Sequence, residues 1–212
     1  MAKKWIGYIG VGSLMCAALG CGILYTRQAR LRQTISDKVL RFHVLANSDS
    51  EADQTLKLAV RDAVGSFMQE KLTAVENLEE CEMVVRQSLG EIEEAAAETI
   101  AENGYDYDVT AELEHTSFPV KNYGSYTFPA GDYEALRIVI GEGNGHNWWC
   151  VMYPNMCFSD SMYEVIDEEA GEKLRKVLTT EEYEKVLAEG DYQVRMKYFS
   201  WLNPYLEKLA EN

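Results

Sequence analysis

The sequence predicts an α+β fold: a largely antiparallel sheet of about four strands with helices packed on one face, preceded by an N-terminal apolar export or anchor helix. Three observations predict it. Residues 6–24, IGYIGVGSLMCAALGCGIL, carry no charge and follow Lys3 and Lys4. Residues 38–46 and 105–115 alternate apolar and polar with the period of a strand. Between them, 51–72 and 78–103 place apolar residues at helical spacing. The element order is then β-α-α-β-β-β-α, which suits helices laid on a sheet.

The chain has 212 residues and a formal charge of −15 at pH 7. All of its acids lie beyond residue 26. Such a surface is repelled by phosphate backbones and anionic lipid heads, so a nucleic-acid partner is excluded. It suits a solvated acidic body, or a basic patch on a protein partner.

Residues 1–26 read as a signal peptide or membrane anchor. A small-x-small processing site stands at Ala18-Leu19-Gly20, and Cys21 after it admits a lipoprotein reading. Arg27, Arg30 and Arg32 follow, in a polar juxtamembrane linker over 27–37. Both flanks are basic, but no later segment could return the chain, so the body is expected outside the cytoplasmic membrane. Residues 38–212 form a single extracytoplasmic domain of ordinary size.

Within that domain Val39, Arg41 and His43 share one strand face, and Leu40, Phe42 and Val44 the other. Asn47-Ser48-Asp49-Ser50 ends the strand. Ser48 and Glu51 have the spacing of a reciprocal N-terminal cap. Leu56, Val60, Val64 and Phe67 stripe the first helix; Val85, Leu89, Ile92, Ala96 and Ile100 stripe the second, which Gly104 terminates. Tyr105, Tyr107, Val109, Ala111 and Leu113 form the covered face of the next strand. Residues 116–132 read as a loop. Residues 133–141 and 147–153 then read as a hairpin about the turn Glu142-Gly143-Asn144-Gly145. Helices are expected at 161–178, 180–189 and 198–210.

Two segments could carry chemistry. In the first, His43, Asp49 and Asp53 could hold a metal; the simpler reading is a capped helix start with acids at its positive end. Arg61 and Asp62 read as an exposed ion pair. In the second, His146 and Cys150 suggest a base and a thiol. On one strand they lie about 13 Å apart at roughly 3.3 Å per residue, so only His43 or His115 could serve Cys150. Trp148 and Trp149 must face opposite ways, one into the core and one as an exposed anchor. Cys150 and Cys157 flank a turn-like Tyr153-Pro154-Asn155, which leaves a disulfide or two buried thiols open. Gly141, Gly143 and Gly145 precede no Gly-Lys-Ser/Thr, so they make no phosphate loop. No metal or cofactor is expected.

The wording of RFHVLANSDSEADQTLKLAVRDAV (41–64) and PAGDYEALRIVIGEGNGHNWWCVMYPNMCF (129–158), behind an export segment, resembles the stage II sporulation protein R family of endospore-forming bacteria. The resemblance covers about 38–160. It implies a non-enzymatic signal made in the forespore and secreted into the space between the two sporulation membranes, or anchored there through residues 5–25. Its implied partner is a membrane-embedded aspartic-type protease of the mother cell, which then processes pro-sigma-E. On this reading the partner-binding residues are Asn47, Asp49, Asp53, His146 and Trp149, at strand ends that folding does not obviously need. The alternative is an exported hydrolase using Cys150 or a metal at His43, Asp49 and Asp53.

Overall fold

A computed structural model describes residues 2–123, 125–156 and 168–187, without the side chains of 2–18 and 168–170. Helix α1 runs through Ala2–Ser36. Strand β1 (Leu40–Leu45), helices α2 (Glu51–Lys71) and α3 (Leu78–Glu102), and strand β2 (Val109–Phe118) follow. Next come the short strands β3 (Lys121–Tyr123) and β4 (Tyr126–Phe128), then β5 (Gly131–Ile140) and β6 (Asn147–Tyr153). Helices α4 (Glu168–Val177) and α5 (Thr180–Leu187) close the described part. The expected helix at 198–210 lies outside the described residues, as do 161–167 and 188–189 of the two expected before it.

Helix α1 crosses the expected boundary at 26 without a break, and 27–36 are helical. Its last turns pack inward: Ile35 is buried and Leu31 half-buried against the same cluster. Leu19, Ile23, Leu24 and Tyr25 are exposed. Among the residues with described side chains, no helix is long and apolar enough to cross a membrane; residues 1–18 of the expected export segment fall outside them.

The four-stranded sheet has the order β2-β5-β1-β6. It is mixed rather than largely antiparallel. β1 pairs in parallel with β5, with Arg41 opposite Ala135 and Leu45 opposite Val139. β1–β6 and β2–β5 are antiparallel. The expected hairpin of β5 and β6 is therefore corrected: β1 lies between them. Asn144-Gly145 is a turn signal, but residues 141–146 arch over the end of β1 instead of folding β6 back onto β5.

Both faces of the sheet are covered, a second correction. Leu40, Phe42, Val44, Leu136, Ile138 and Ile140 meet Leu56, Val60 and Val64 of α2 and Val85, Ile92 and Ala96 of α3. On the opposite face Val39, Phe118, Tyr133, Ala135 and Val151 meet Ile35, Phe128 of the β3–β4 ribbon, Leu174 of α4, Val186 of α5 and Leu178 between those helices. The residues 116–132 read as a loop thus hold the end of β2 and that ribbon. β5 is buried on alternate sides along most of its length, as a strand covered on both faces must be.

The second face also buries Arg41 completely. Its guanidinium carbon lies 4.6 Å from the ring centre of Phe118, 5.1 Å from Tyr133, 5.3 Å from Phe128 and 5.6 Å from Tyr123. Nη2 donates to the Tyr123 hydroxyl at 3.0 Å. Burial lowers its proton affinity. The ring faces supply the electrostatic partner that a carboxylate would otherwise provide.

The arch fits only because of its glycines. Gly141 and Gly143 adopt φ of +55° and +62°, which side-chain-bearing residues rarely take. A Cβ on Gly145 would sit 2.2 Å from the Ser48 carbonyl oxygen. Gly145→Ala should therefore cost about 1–3 kcal/mol through overpacking against backbone. Urea denaturation would measure it; a loss within about 0.5 kcal/mol, the usual range for a surface change, would mean that the arch is free of the turn.

Candidate partner-binding face

Because β1 and β5 run parallel, their C-terminal ends emerge at the same pole. The chain leaving β1 turns through 46–50 into α2, and the chain leaving β5 crosses directly above it. The two are clasped by backbone bonds: Gly145 N donates to the Ala46 carbonyl at 2.9 Å, and Asn144 N to that of Asn47 at 3.2 Å. Asn47 is the hinge of the clasp. Its Oδ1 accepts from Glu142 N at 3.0 Å, and its Nδ2 donates to Asp53 Oδ2 at 3.0 Å.

The start of α2 is built differently from the sequence expectation. Ser50, not Ser48, caps it, accepting from Asp53 N at 3.1 Å. The Ser48 hydroxyl donates instead to Asp53. Asp53 is buried, and the bonds from Ser48 and then Asn47 hold its carboxyl below the ordinary value of 3.8. Asp53 thus ties the turn together from within.

At the surface the clasp closes on Asp49 and His146. The Asp49 carboxylate accepts from His146 N at 2.6 Å and contacts its ring Nδ1. Both side chains are largely exposed, at 56% and 79%. The two bonds from His146, led by that from its side chain, depress the Asp49 carboxyl. A groove of about 470 Å³ opens between the first turns of α2 and the end of α3, lined by Glu51, Thr55, Asn103 and Tyr105 among others.

The five expected partner-binding residues therefore divide. Asp49 and His146 are brought together and exposed. Asn47 and Asp53 belong to the same clasp but sit beneath it. Trp149 is half-buried on the outer sheet face, stacked on His43 at 4.8 Å with ring planes 4° apart, and packed against Phe118. It is a packing residue there, not an exposed anchor. Trp148 turns the other way, against Phe42 and beneath the Arg61 guanidinium. Arg61 does pair with Asp62, but it is buried.

The hydrolase constellations do not assemble. Cross-strand partners share a face, and Cys150 lies opposite Phe42 whereas His43 lies opposite Trp149. The thiol and the imidazole are thus on opposite sides of the sheet. His115 stands on β2, the far edge strand, bonded to Glu134 at 3.0 Å. Cys150 is disulfide-bonded; Cys157 lies outside the described residues. His43 is buried, and neither ring nitrogen has a hydrogen-bond partner among the described residues. Burial is the main cause that pushes it down to about 4. It cannot join Asp49 and Asp53. Among the described residues, no group of three His, Cys, Asp or Glu could hold a metal ion.

Sequence reasoning missed Gln54 and Lys57. Gln54 Nε2 donates to the Ser48 carbonyl at 2.9 Å. Lys57 Nζ donates to the His146 carbonyl at 3.0 Å. A signal for them existed: Asp53, Lys57 and Arg61 recur every four residues beside the apolar stripe of α2, as a polar row on a covered face.

The comparisons with known proteins fall on this architecture. The family model described as stage II sporulation protein R matches residues 36–163. That stretch holds β1 through β6 and every residue of the clasp. Stage II sporulation protein R of Bacillus subtilis (strain 168) is 39% identical over 158 residues, covering 74% of this chain and 70% of that protein. No solved structure matches.

The depressed carboxyls of Asp49 and Asp53 make the clasp acid-labile. A carboxyl whose folded value lies below its unfolded one stabilises fully above the ordinary 3.8 and loses that contribution as pH falls through the folded value. The urea midpoint of the protein should fall below pH 3.8, and less steeply in an Asp49→Asn, Asp53→Asn double variant. Equal declines in the two proteins would contradict this origin.

Proposed function

The chain belongs to the stage II sporulation protein R family, and from that premise we propose that it is an exported sporulation signal that activates a membrane-embedded aspartic-type protease and so triggers processing of pro-sigma-E. The single observation that carries this reading is the exposed Asp49–His146 pair, held at one pole of the domain by a clasp that lies wholly within the family match. A partner is recognised by groups that are both accessible and fixed in position, because their ordering cost is already met in the free protein. Asp49 and His146 have both properties.

The reading places the domain outside the cytoplasmic membrane, carried there by the uncharged stretch over 5–25, with the chain acting as ligand and the protease performing the cleavage. The formal charge of −15 suits a partner that presents basic groups. The groove at the start of α2, lined by Glu51, Thr55 and Tyr105, adds a concave surface on the same helix. Residues 5–25 make the membrane contact in this reading, whether they are later cut or retained.

Deleting the gene in a sporulating host should abolish pro-sigma-E processing. Restoring it with Asp49→Ala or His146→Ala should leave processing severely reduced, while the purified protein loses only the modest stability of that exposed pair and remains folded at the growth temperature. Immunoblots of the sigma factor read the first and calorimetry the second. Normal processing in the deletion strain would sink the proposal; processing lost only together with stability would remove the pair from the partner face.

A further inference from the structure

We infer that Lys57 is a positioning residue for the signalling face: its buried ammonium sets the arch over the turn that precedes α2. The inference rests on the reading of that face as the partner-binding one.

Lys57 lies between Asp53 and Arg61 on α2, four residues from each, and all three are buried, at 6%, 5% and 5% exposure. Its Nζ donates to Gln54 Oε1 at 2.6 Å and to the His146 carbonyl at 3.0 Å. Gln54 in turn donates to the Ser48 carbonyl at 2.9 Å. One ammonium thus spans the clasp from below, joining His146 of the arch, by way of Gln54, to Ser48 of the turn. It fixes where the His146 backbone sits, and therefore where the imidazole meets Asp49, by way of the main chain.

The choice of lysine is costly for folding alone. Both of its acceptors are neutral, so the charge is not matched at its own contacts. Burial and the Arg61 guanidinium both work against the charged form, with Asp49 the counteracting group. Like charges four apart on a helix oppose each other. Helix α2 does not need the contact to stay on the sheet, since Leu56, Val60 and Val64 bury it there. Replacing a buried charge by an apolar group of similar volume is often neutral or stabilising. A costly cation whose bonds go to the two halves of the clasp is explained by what it holds in place.

Three variants of the full chain test this in a sporulating host, read by pro-sigma-E processing, by melting temperature and by hydrogen exchange over 141–146. Lys57→Met should keep or raise the melting temperature, speed exchange in the arch and lose processing. Lys57→Arg, which restores a donor, should recover processing. Asp49→Ala serves as the reference for the face itself. Wild-type processing in Lys57→Met with loss in Asp49→Ala would overturn the role of Lys57 and leave the face standing; wild-type processing in both would overturn the face. A lowered melting temperature in Lys57→Met, or a folded Lys57→Arg that fails to signal, would also overturn the assignment.

Discussion

The parallel pairing of β1 with β5 is the constraint from which the rest of the molecule follows. Parallel neighbours end at the same pole, so the exits of the two strands must share one small volume. β6 then takes the other side of β1, and residues 141–146 have to cross above the turn into α2. Such a crossing brings backbone onto backbone. It is tolerable only where side chains are absent, which is why Gly141, Gly143 and Gly145 alternate along it. It also leaves carbonyls and amides facing each other, and these become the bonds of the clasp. In open sheets of the α/β kind, ligands gather beyond the carboxyl ends of parallel strands for related topological reasons. Here the same pole presents the exposed Asp49–His146 pair on the clasp.

The two cores divide the remaining work. The one under α2 and α3 is apolar and holds the layers together. The one under α1, the β3–β4 ribbon, α4 and α5 is built around aromatic rings and the fully buried Arg41. His43 lies on the same face, its pKa pushed down to about 4 by burial, stacked on Trp149 and tilted against Phe118. Of these two polar residues on β1, His43 looked functional because a polar group in a strand so rich in apolar ones stands out. Their surroundings make them packing elements of an aromatic layer. The exposed chemistry lies one strand length away, at the pole.

Much of this was legible. Alternation located β1 and the larger part of β2, helical spacing located α2 and α3, and turn-forming residues marked both segments of the clasp. What could not be read is strand pairing. A period of two fixes which residues share a face but not which strand lies alongside, nor in which direction, so Asn144-Gly145 passed for a hairpin turn. The helix cap shows the same limit on a smaller scale. Ser48 with Glu51 and Ser50 with Asp53 offer equal spacing, and only the pull of Asn47 and Ser48 on Asp53 decides between them. For Trp148 and Trp149 the sequence required opposite faces, but not that both faces would be covered.

The central claim is that this pole, and not the acidic surface at large, meets the partner. Photo-crosslinking in sporulating cells tests it most directly, with a photoreactive residue at exposed Glu142 or Asn144 on the arch and, as a control, at exposed Glu94 on the outer side of α3. The account predicts crosslinks to the membrane-embedded protease from the arch positions and none from position 94. Equal crosslinking from both sides, or crosslinking from Glu94 alone, would contradict it.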